Sequence, residues 1–401
     1  MRKPRSQSFA PRIVAIGVVA CLMSAACATA TATGTGATPS SPSSPNPGPT
    51  SSSSLTATVP PSPTPGPSAS KGAGCLVGEA WNNYAEERIA QWDQPAIEKE
   101  LAAAGDDYLA TDAASSQETQ RTQIDKLVAK GAKVIVLRAQ GGSVGLMDPA
   151  NLKAVERAVA AGVAVIAYDD LIESPSVLWI SIDQVEAGRA EARAIVAARP
   201  KGNYVIIRGM KGQPLEDLRA SGIDEVLQPV IARGDIKVVA EPYTVNWDPS
   251  TAQTEMAQIL ARNKSIDAVI AESDGMATGA IAALKEVDLA GKVAVGGQDA
   301  DWISLARVAA GIQTVSVWPD LRTMGTVAGD AAVALCKDPD ISKLKGTKLY
   351  SSPGHNQVPS ILLAPRAITK DNLNLVLEAG WLPKDYLCAS IDPSGAPSAC
   401  R

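Results

Sequence analysis

The sequence from Gly74 onward predicts an α/β fold built on parallel sheets. Short apolar runs rich in β-branched residues alternate with stretches whose apolar residues repeat at helical spacing, and glycines follow the helical stretches. This alternation is typical of strand–helix–strand units, in which each helix returns the chain so that successive strands run parallel. The part of the 401-residue chain after Gly74 is long enough for two medium domains.

The helix boundaries support this prediction. Residues 115–118 predict a capping box at the start of one helix, which ends at Gly131, and Asp148 with Pro149 predicts the first turn of the next, which ends at Gly162. The predicted strands are residues 75–80, 133–137, 163–168, 178–182, 204–207, 237–240, 268–271, 292–295 and 314–318.

The N-terminal segment predicts export. Residues 1–12 carry four cations and no acid, and residues 13–23 are almost wholly apolar but too few to span a bilayer, which together indicate a signal peptide. Small residues at 24–26 precede Cys27, the pattern of a lipoprotein signal, so we expect residues 1–27 to be the signal segment and Cys27 the lipid anchor. Acylation of Cys21 and ordinary cleavage after Ala26 or Ala28 are the alternatives.

Residues 28–72 consist mainly of Ala, Thr, Ser, Pro and Gly and predict a disordered tether, because they contain too few large apolar residues for a core. The expected location is the outer face of the cell membrane, with the membrane contacted only through the lipid.

Composition excludes several classes of function. The net charge is −5 without a basic block, which argues against nucleic-acid binding, and a single histidine, His355, leaves no His-based metal cluster or Ser-His-Asp triad. We expect no cofactor and no metal. Export permits disulfides among Cys75, Cys336, Cys388 and Cys400; the short loop favours pairing Cys388 with Cys400, but the connectivity stays open.

Ligands of open parallel sheets bind beyond the carboxyl ends of the strands, so polar and aromatic residues after each predicted strand are the candidate site. They include Arg88, Asp169, Trp247, Asp299 and Trp318.

At these strand ends the chain resembles the periplasmic sugar-binding proteins of bacterial ABC transporters, most closely the xylose-binding branch. The resemblance is collinear over about residues 74–381 and is carried by stretches such as 166–169, 179–183, 297–301, 310–314 and 358–360. It implies the type I periplasmic binding protein fold, in which two similar lobes with Rossmann-like parallel-sheet cores are joined by a three-strand hinge.

We place the hinge crossings near Ile182, Gly297 and Val358. The implied lobes are residues 74–182 with 298–357 and residues 183–297 with 358–387, followed by a C-terminal tail at 388–401.

The family's sugar contacts can be carried over by position. Asp169 and Asp299 match aspartates that accept hydrogen bonds from sugar hydroxyls, and Trp247 matches an aromatic residue that covers the ring. Asp274 matches a further polar position, and Trp318 ends a strand on the cleft side.

Other positions depart from the family. Asp170 replaces an arginine, Ser273 replaces an asparagine and Pro319 replaces a lysine, while the asparagine expected soon after Arg208 falls on 214 or 215. These changes predict a cleft about three charges more negative than in the family, which would favour neutral or amino-bearing ligands. Arg88, with Arg138 as a second candidate, is expected to replace the lost donor.

The predicted function is that of a monomeric solute-binding protein and not an enzyme. Its lobes close over a small polar ligand, expected to be a xylose-like sugar or a polyol, for an ABC permease. A sensory protein that presents its ligand state to a membrane receptor kinase is the first alternative. A sugar- or cell-wall-processing enzyme is the second, although the chain lacks a nucleophile elbow and a phosphate loop.

Overall fold

The computed structural model describes Ala69 and residues 74–86, 88–140, 149–352, 354–389, 391 and 396–401, without the side chain of Pro214. The predicted signal segment, Cys27 and the Asp148 cap lie outside the described residues, as does the predicted tether except Ala69. Ala69 forms an antiparallel bridge to Leu109, so the chain contacts the folded part before the predicted tether boundary at residue 72.

The strands, numbered in chain order, are β1 (Leu76–Trp81), β2 (Asp107–Asp112), β3 (Val134–Leu137), β4 (Ala164–Tyr168), β5 (Val177–Ile182), β6 (Gly202–Ile207), β7 (Ile236–Ala240), β8 (Ala268–Ala271), β9 (Ala294–Val295), β10 (Ser316–Trp318), β11 (Lys348–Ser351), β12 (Gln357–Leu363) and β13 (Arg366–Ile368).

The helices are α1 (Gln94–Ala104), α2 (Gln117–Ala129), α3 (Pro149–Ala160), α4 (Gln184–Ala198), α5 (Pro214–Ala232), α6 (Pro249–Arg262), α7 (Asp274–Lys285), α8 (Trp302–Ala310), α9 (Leu321–Lys337), α10 (Asn374–Glu378) and α11 (Lys384–Cys388). No helix among these described residues has the length and apolarity of a membrane span.

The first lobe is built on a seven-stranded sheet of order β11-β12-β5-β4-β3-β1-β2, parallel except for the β11–β12 pair. Alternate residues of its central strands point to opposite faces, as the strand period requires. One face packs on α2 and α3, whereas the other packs on α1 and α9.

The second lobe is built on a parallel sheet of order β7-β6-β8-β9. Backbone hydrogen bonds from Thr314 to Val295 and from Val317 to Gly297 extend this sheet to β10, which pairs antiparallel with β13. Helices α4 and α5 cover one face, and α6 and α7 cover the other.

The strand pairing differs from the predicted lobe boundaries at two places. β12, expected in the second lobe from residue 358, pairs in parallel with β5 of the first sheet, and the chain returns to the second lobe only between Leu363 and Arg366. β10, expected in the first lobe, extends the second sheet, so the chain crosses between Trp318 and Leu321 and not near Gly297. Backbone hydrogen bonding does not depend on residue type, so an apolar run does not reveal which sheet it joins.

Local backbone geometry corrects the first predicted cap. Ala114 and Ser115 have left-handed backbone angles, so α2 begins one residue later than expected and Ser116 is its N-cap, accepting from the Thr119 N–H. The predicted ends at Gly131 and Gly162 are confirmed, since both glycines have positive φ after a helix.

Two disulfides settle the pairing that the sequence left open. Cys75 bonds to Cys336, joining the entry of β1 to the end of α9, and Cys388 bonds to Cys400. The expected tail at 388–401 is not separate from the fold, because Ala399 packs in the apolar cluster that contains Leu387.

Candidate ligand-binding cleft

The carboxyl ends of strands from both lobes open onto a cavity of about 970 Å³. The first lobe contributes Arg88, Arg138, Asp169 and Asp170, and the second lobe contributes Arg219 and Gln184 with the segment 299–303. Residues far apart in the sequence therefore meet at one site.

Asp169 follows β4 and is held from several sides. Its Oδ2 lies 2.7 Å from Arg88 Nη1 and 3.8 Å from Arg138 Nη2, while Ser181 Oγ donates to Oδ1 at 3.3 Å. Its left-handed backbone (φ 69°) aims its carbonyl at Trp179 Nε1, which donates to it at 2.9 Å. Burial alone would raise the pKa of Asp169, but the charges of Arg88 and Arg138 outweigh burial and hold that pKa below its ordinary value.

Arg88 is positioned by a second carboxylate. Its Nε and Nη2 donate to the two oxygens of Asp93 at 2.7 and 3.2 Å, and the Tyr168 hydroxyl also donates to Asp93 at 2.6 Å. The Asp93 side chain is fully buried. This fork fixes the guanidinium so that Nη1 faces Asp169 and the cavity.

Asp170 is less well paired than Asp169. Its Oδ2 lies 3.7 Å from Arg138 Nε, whereas Arg138 Nη1 makes a closer contact of 2.7 Å with Glu86. Burial raises the pKa of Asp170 to about 7. The charge of Arg138 acts in the opposite direction and lowers this pKa, whereas the charge of the neighbouring Asp169 raises it further.

Arg219 organises the opposite wall. Its Nε donates to Gln184 at 2.8 Å and its Nη1 donates to the Glu272 carbonyl at 2.7 Å. Its Nη2 lies 3.8 Å from Asp299, and its guanidinium stands 5.3 Å from the ring centroid of Trp247. Desolvation raises the pKa of Asp299 in spite of the Arg219 charge.

The two facing lobes each present guanidinium groups paired with carboxylates. Such pairs can bind a small polar molecule through hydrogen bonds. The sequence pattern of the periplasmic binding protein domain matches residues 79–340. The chain belongs to the periplasmic binding protein family.

Curated relatives support the assignment. The D-xylose-binding periplasmic protein of Escherichia coli (strain K12) is 33% identical over 299 residues, which cover 73% of this chain and 88% of that protein. The xylitol-binding protein of Mycolicibacterium smegmatis is 31% identical over 268 residues, 65% of this chain and 68% of that one. The resemblance inferred from the sequence is thereby confirmed.

Solved structures agree. An ABC transporter solute-binding protein of Clostridium phytofermentans with bound β-D-glucose has a TM-score of 0.64 and 27% identity, covering 78% of this chain and 99% of that one. The Caulobacter myo-inositol binding protein bound to myo-inositol has a TM-score of 0.61 and 26% identity over the same shares. The predicted fold class and a solute-binding, non-enzymatic function are confirmed, because the matched family and these relatives are solute-binding proteins.

Four of the predicted site residues of this periplasmic binding protein line the cavity together: Arg88, Asp169, Asp170 and Asp299. Trp247 stands behind this surface, where it contacts Arg219 and donates from Nε1 to Gln213. Direct contact of these five residues with a ligand stays a prediction.

Three predicted site residues are placed elsewhere. Ser273 is the N-cap of α7, accepting from the Met276 N–H. Asp274 is fully buried and accepts from Ser316 at 2.6 Å and Gln313 at 2.8 Å, so its carboxylate ties α7 to β10 instead of facing the cavity. Trp318 is 2% exposed and packs edge-on against Trp381, because the strand that it ends extends the interior of the second sheet.

Sequence reasoning missed Arg219 because this residue lies within α5 and not directly after a strand. It also missed Gln184 at the start of α4 and the aromatic residues Trp92, Trp302 and Tyr386. Helical residues facing a cleft carry no local signal that separates them from other surface residues; for Trp302, only its position directly after the strand-end segment 298–301 offered a hint.

The cavity carries little net charge; the expectation of a cleft about three charges more negative than in the family stays a prediction. Three arginines face four aspartates, including Asp301, a formal charge of −1 when all are ionised. Desolvation and the Asp299 charge raise the pKa of Asp301 to about 6, and the pKa of Asp170 is about 7, so the cavity is close to neutral near pH 7. Among the described residues, no group of three or more His, Cys, Asp or Glu side chains is arranged to hold a metal ion.

Proposed function

We propose that this protein captures a neutral monosaccharide or polyol outside the cytoplasm and delivers it to an ABC permease. The observation that carries the proposal is the cavity between the lobes, in which arginines and aspartates already neutralise one another. Such pairs offer both donors and acceptors to hydroxyl groups without a net charge that would demand an ionic ligand.

The relatives support this ligand class. The names of two curated relatives specify xylose and xylitol, and two solved relatives hold glucose and myo-inositol. An amino-bearing ligand is less well matched, because Asp169 and Asp299 already face arginines, whose charges would oppose a second cation.

The mechanism that we infer is closure about the hinge. Asp169 and Arg88 belong to one lobe and Arg219 to the other, so a ligand hydroxyl network that spans both walls would stabilise the closed form. The solved relatives described as ABC transporter solute-binding proteins favour transport over a sensory role. We infer attachment to the membrane through Cys27, with Cys21 as the alternative site; loss of lipid labelling in Cys27→Ser but not in Cys21→Ser would support this.

The test is isothermal titration with D-xylose, xylitol, D-glucose, myo-inositol and D-glucosamine. We expect at least one neutral ligand to bind, and Asp169→Asn to weaken that binding about tenfold to a hundredfold, because it replaces charge-assisted hydrogen bonds worth about 1.5–3 kcal/mol. Asp371→Asn, at an exposed residue outside the cleft, is the matched control. Failure of all four neutral ligands to bind, or binding of D-glucosamine alone, would overturn the proposal.

A further inference from the structure

One part of the cavity is aromatic. We call Trp92, Trp302, Trp381 and Tyr386 the aromatic wall; all four line the cavity. Trp92 and Trp381 are stacked with ring centroids 4.7 Å apart and an interplanar angle of 15°, and the Trp302 and Tyr386 rings lie 5.2 Å apart. Trp381 is almost fully buried, whereas the other three side chains are partly exposed.

Hydrogen bonds hold this wall in place. Trp302 Nε1 donates to the Trp381 carbonyl at 2.9 Å, and Trp381 Nε1 donates to the Ala300 carbonyl at 2.8 Å. The N–H groups of these two indoles are therefore satisfied within the protein, and what Trp302 and Trp381 offer to a ligand is apolar ring surface. Such surfaces bind the C–H side of sugar rings or other aromatic rings.

The C-terminal segment builds half of the wall. Trp381 precedes α11, and Tyr386 lies within it, two residues before Cys388. The disulfide from Cys388 to Cys400 ties the end of this helix to the last turn of the chain. A covalent bond thus supports the element that carries Tyr386.

The aromatic wall adjoins the polar part of the cavity and does not replace it. Trp92 is next to Asp93, which positions Arg88, and Trp302 comes directly after the segment that carries Asp299 and Asp301. The shared cavity of about 970 Å³ is at the upper end of the range of about 300–1,000 Å³ typical of ligand pockets.

We propose that the aromatic wall is a second subsite, and that the preferred ligand is a monosaccharide unit carrying a second ring, as in a disaccharide or an aryl glycoside. This inference rests on the proposed function, because the first ring occupies the polar site between Asp169 and Arg219. The second ring lies on Trp302 and Tyr386, where the Asp301 carboxylate accepts a hydroxyl if that ring is a sugar.

The experiment compares matched ligands by isothermal titration: D-glucose with cellobiose and phenyl β-D-glucoside, and D-xylose with xylobiose. At least one two-ring ligand should bind about tenfold more tightly than its monosaccharide, the size expected for one good ring contact. The phenyl glucoside and cellobiose distinguish an aromatic second ring from a sugar. Trp302→Ala and, separately, Tyr386→Ala should remove the gain, weakening the two-ring ligand about tenfold and its monosaccharide by a clearly smaller factor.

Tyr243→Ala is the control, since Tyr243 is an exposed aromatic residue that does not line the cavity. Thermal unfolding checks that each variant is folded, and Trp302→Phe, which keeps a ring, should retain part of the gain. The inference is overturned if monosaccharides bind and every two-ring ligand is excluded, or if both alanine variants weaken both ligand classes equally; the proposed function survives either result. If D-glucose, D-xylose, xylitol and myo-inositol all fail to bind, the proposed function itself fails.

Discussion

Asp170 is the site carboxylate for which the structure makes the sharpest prediction. It stands where the related proteins are expected to have an arginine, and its closest cation, Arg138, lies 3.7 Å away and is shared with Glu86 and Asp169. Replacing Asp170 by asparagine keeps the shape of the side chain and removes its charge. We expect Asp170→Asn to stabilise the protein at alkaline pH and to leave it nearly unchanged at acid pH.

The sign and size follow from proton linkage. The Asp170 carboxyl has an ordinary pKa of 3.8, and burial raises that pKa to about 7 in the folded protein. Between these values the folded state holds the proton more tightly, so Asp170 lowers the free energy of unfolding progressively as pH rises from about 4 to 7. The full difference corresponds to about 4 kcal/mol; because the side chain is 28% exposed, solvent screening reduces our expectation to about 2 kcal/mol.

The assay is thermal unfolding of the wild type and Asp170→Asn at pH 4.5, 6 and 8. At pH 8 the variant should unfold about 4 °C higher, and at pH 4.5 within about 1 °C of the wild type. Asp371→Asn, at an exposed aspartate, should show no such pH dependence. An equal effect at both pH extremes, or destabilisation at pH 8, would refute the reasoning.

Three further predictions concern the supports of the cleft. Arg88→Met should raise the Kd of the neutral ligand at least tenfold in titrations and lower the free energy of unfolding by about 3 kcal/mol, because it leaves the carboxylates of Asp93 and Asp169 without this cation. Unchanged affinity would contradict this prediction. Cys336→Ser should destabilise the protein by about 5–6 kcal/mol and Cys400→Ser by about 3 kcal/mol in denaturant unfolding, because the two disulfides span 261 and 12 residues. A larger loss of stability in Cys400→Ser would exclude loop entropy as the cause. Gly209→Ala should cost about 1–3 kcal/mol and shift tryptophan fluorescence, because a Cβ there would overlap the Trp247 ring; an unchanged spectrum would show that the ring had not moved.

Much of the fold followed from local sequence pattern. Predicted strands such as residues 178–182 and 268–271 correspond closely to β5 and β8, because a short, fully buried strand is predominantly apolar. The edge strand β2 was missed because its sequence, DYLATD, carries acids and a threonine that an exposed edge tolerates.

The site was predictable only in part. Asp169 and Asp299 reach the cavity because each follows a strand whose end faces it, a position that the chain order alone reveals. Trp318 also ends a strand, yet neighbouring elements cover it, and Asp274 is enclosed by groups from β10 and the loop before it. Position after a strand therefore predicts proximity to the cleft but not exposure within it.

The sequence by itself determined the α/β class, which depends on periodicity. It also determined the family and two aspartates of the cleft, which follow from the resemblance of short stretches along the chain to a known family. Only the tertiary structure decided that β12 joins the first sheet, that Arg219 faces Asp299 and that the aromatic wall exists. Each of these depends on pairing between segments distant in sequence. Backbone hydrogen bonds and apolar contacts can form between many different segments. The packing of the whole chain therefore decides which segments pair with one another.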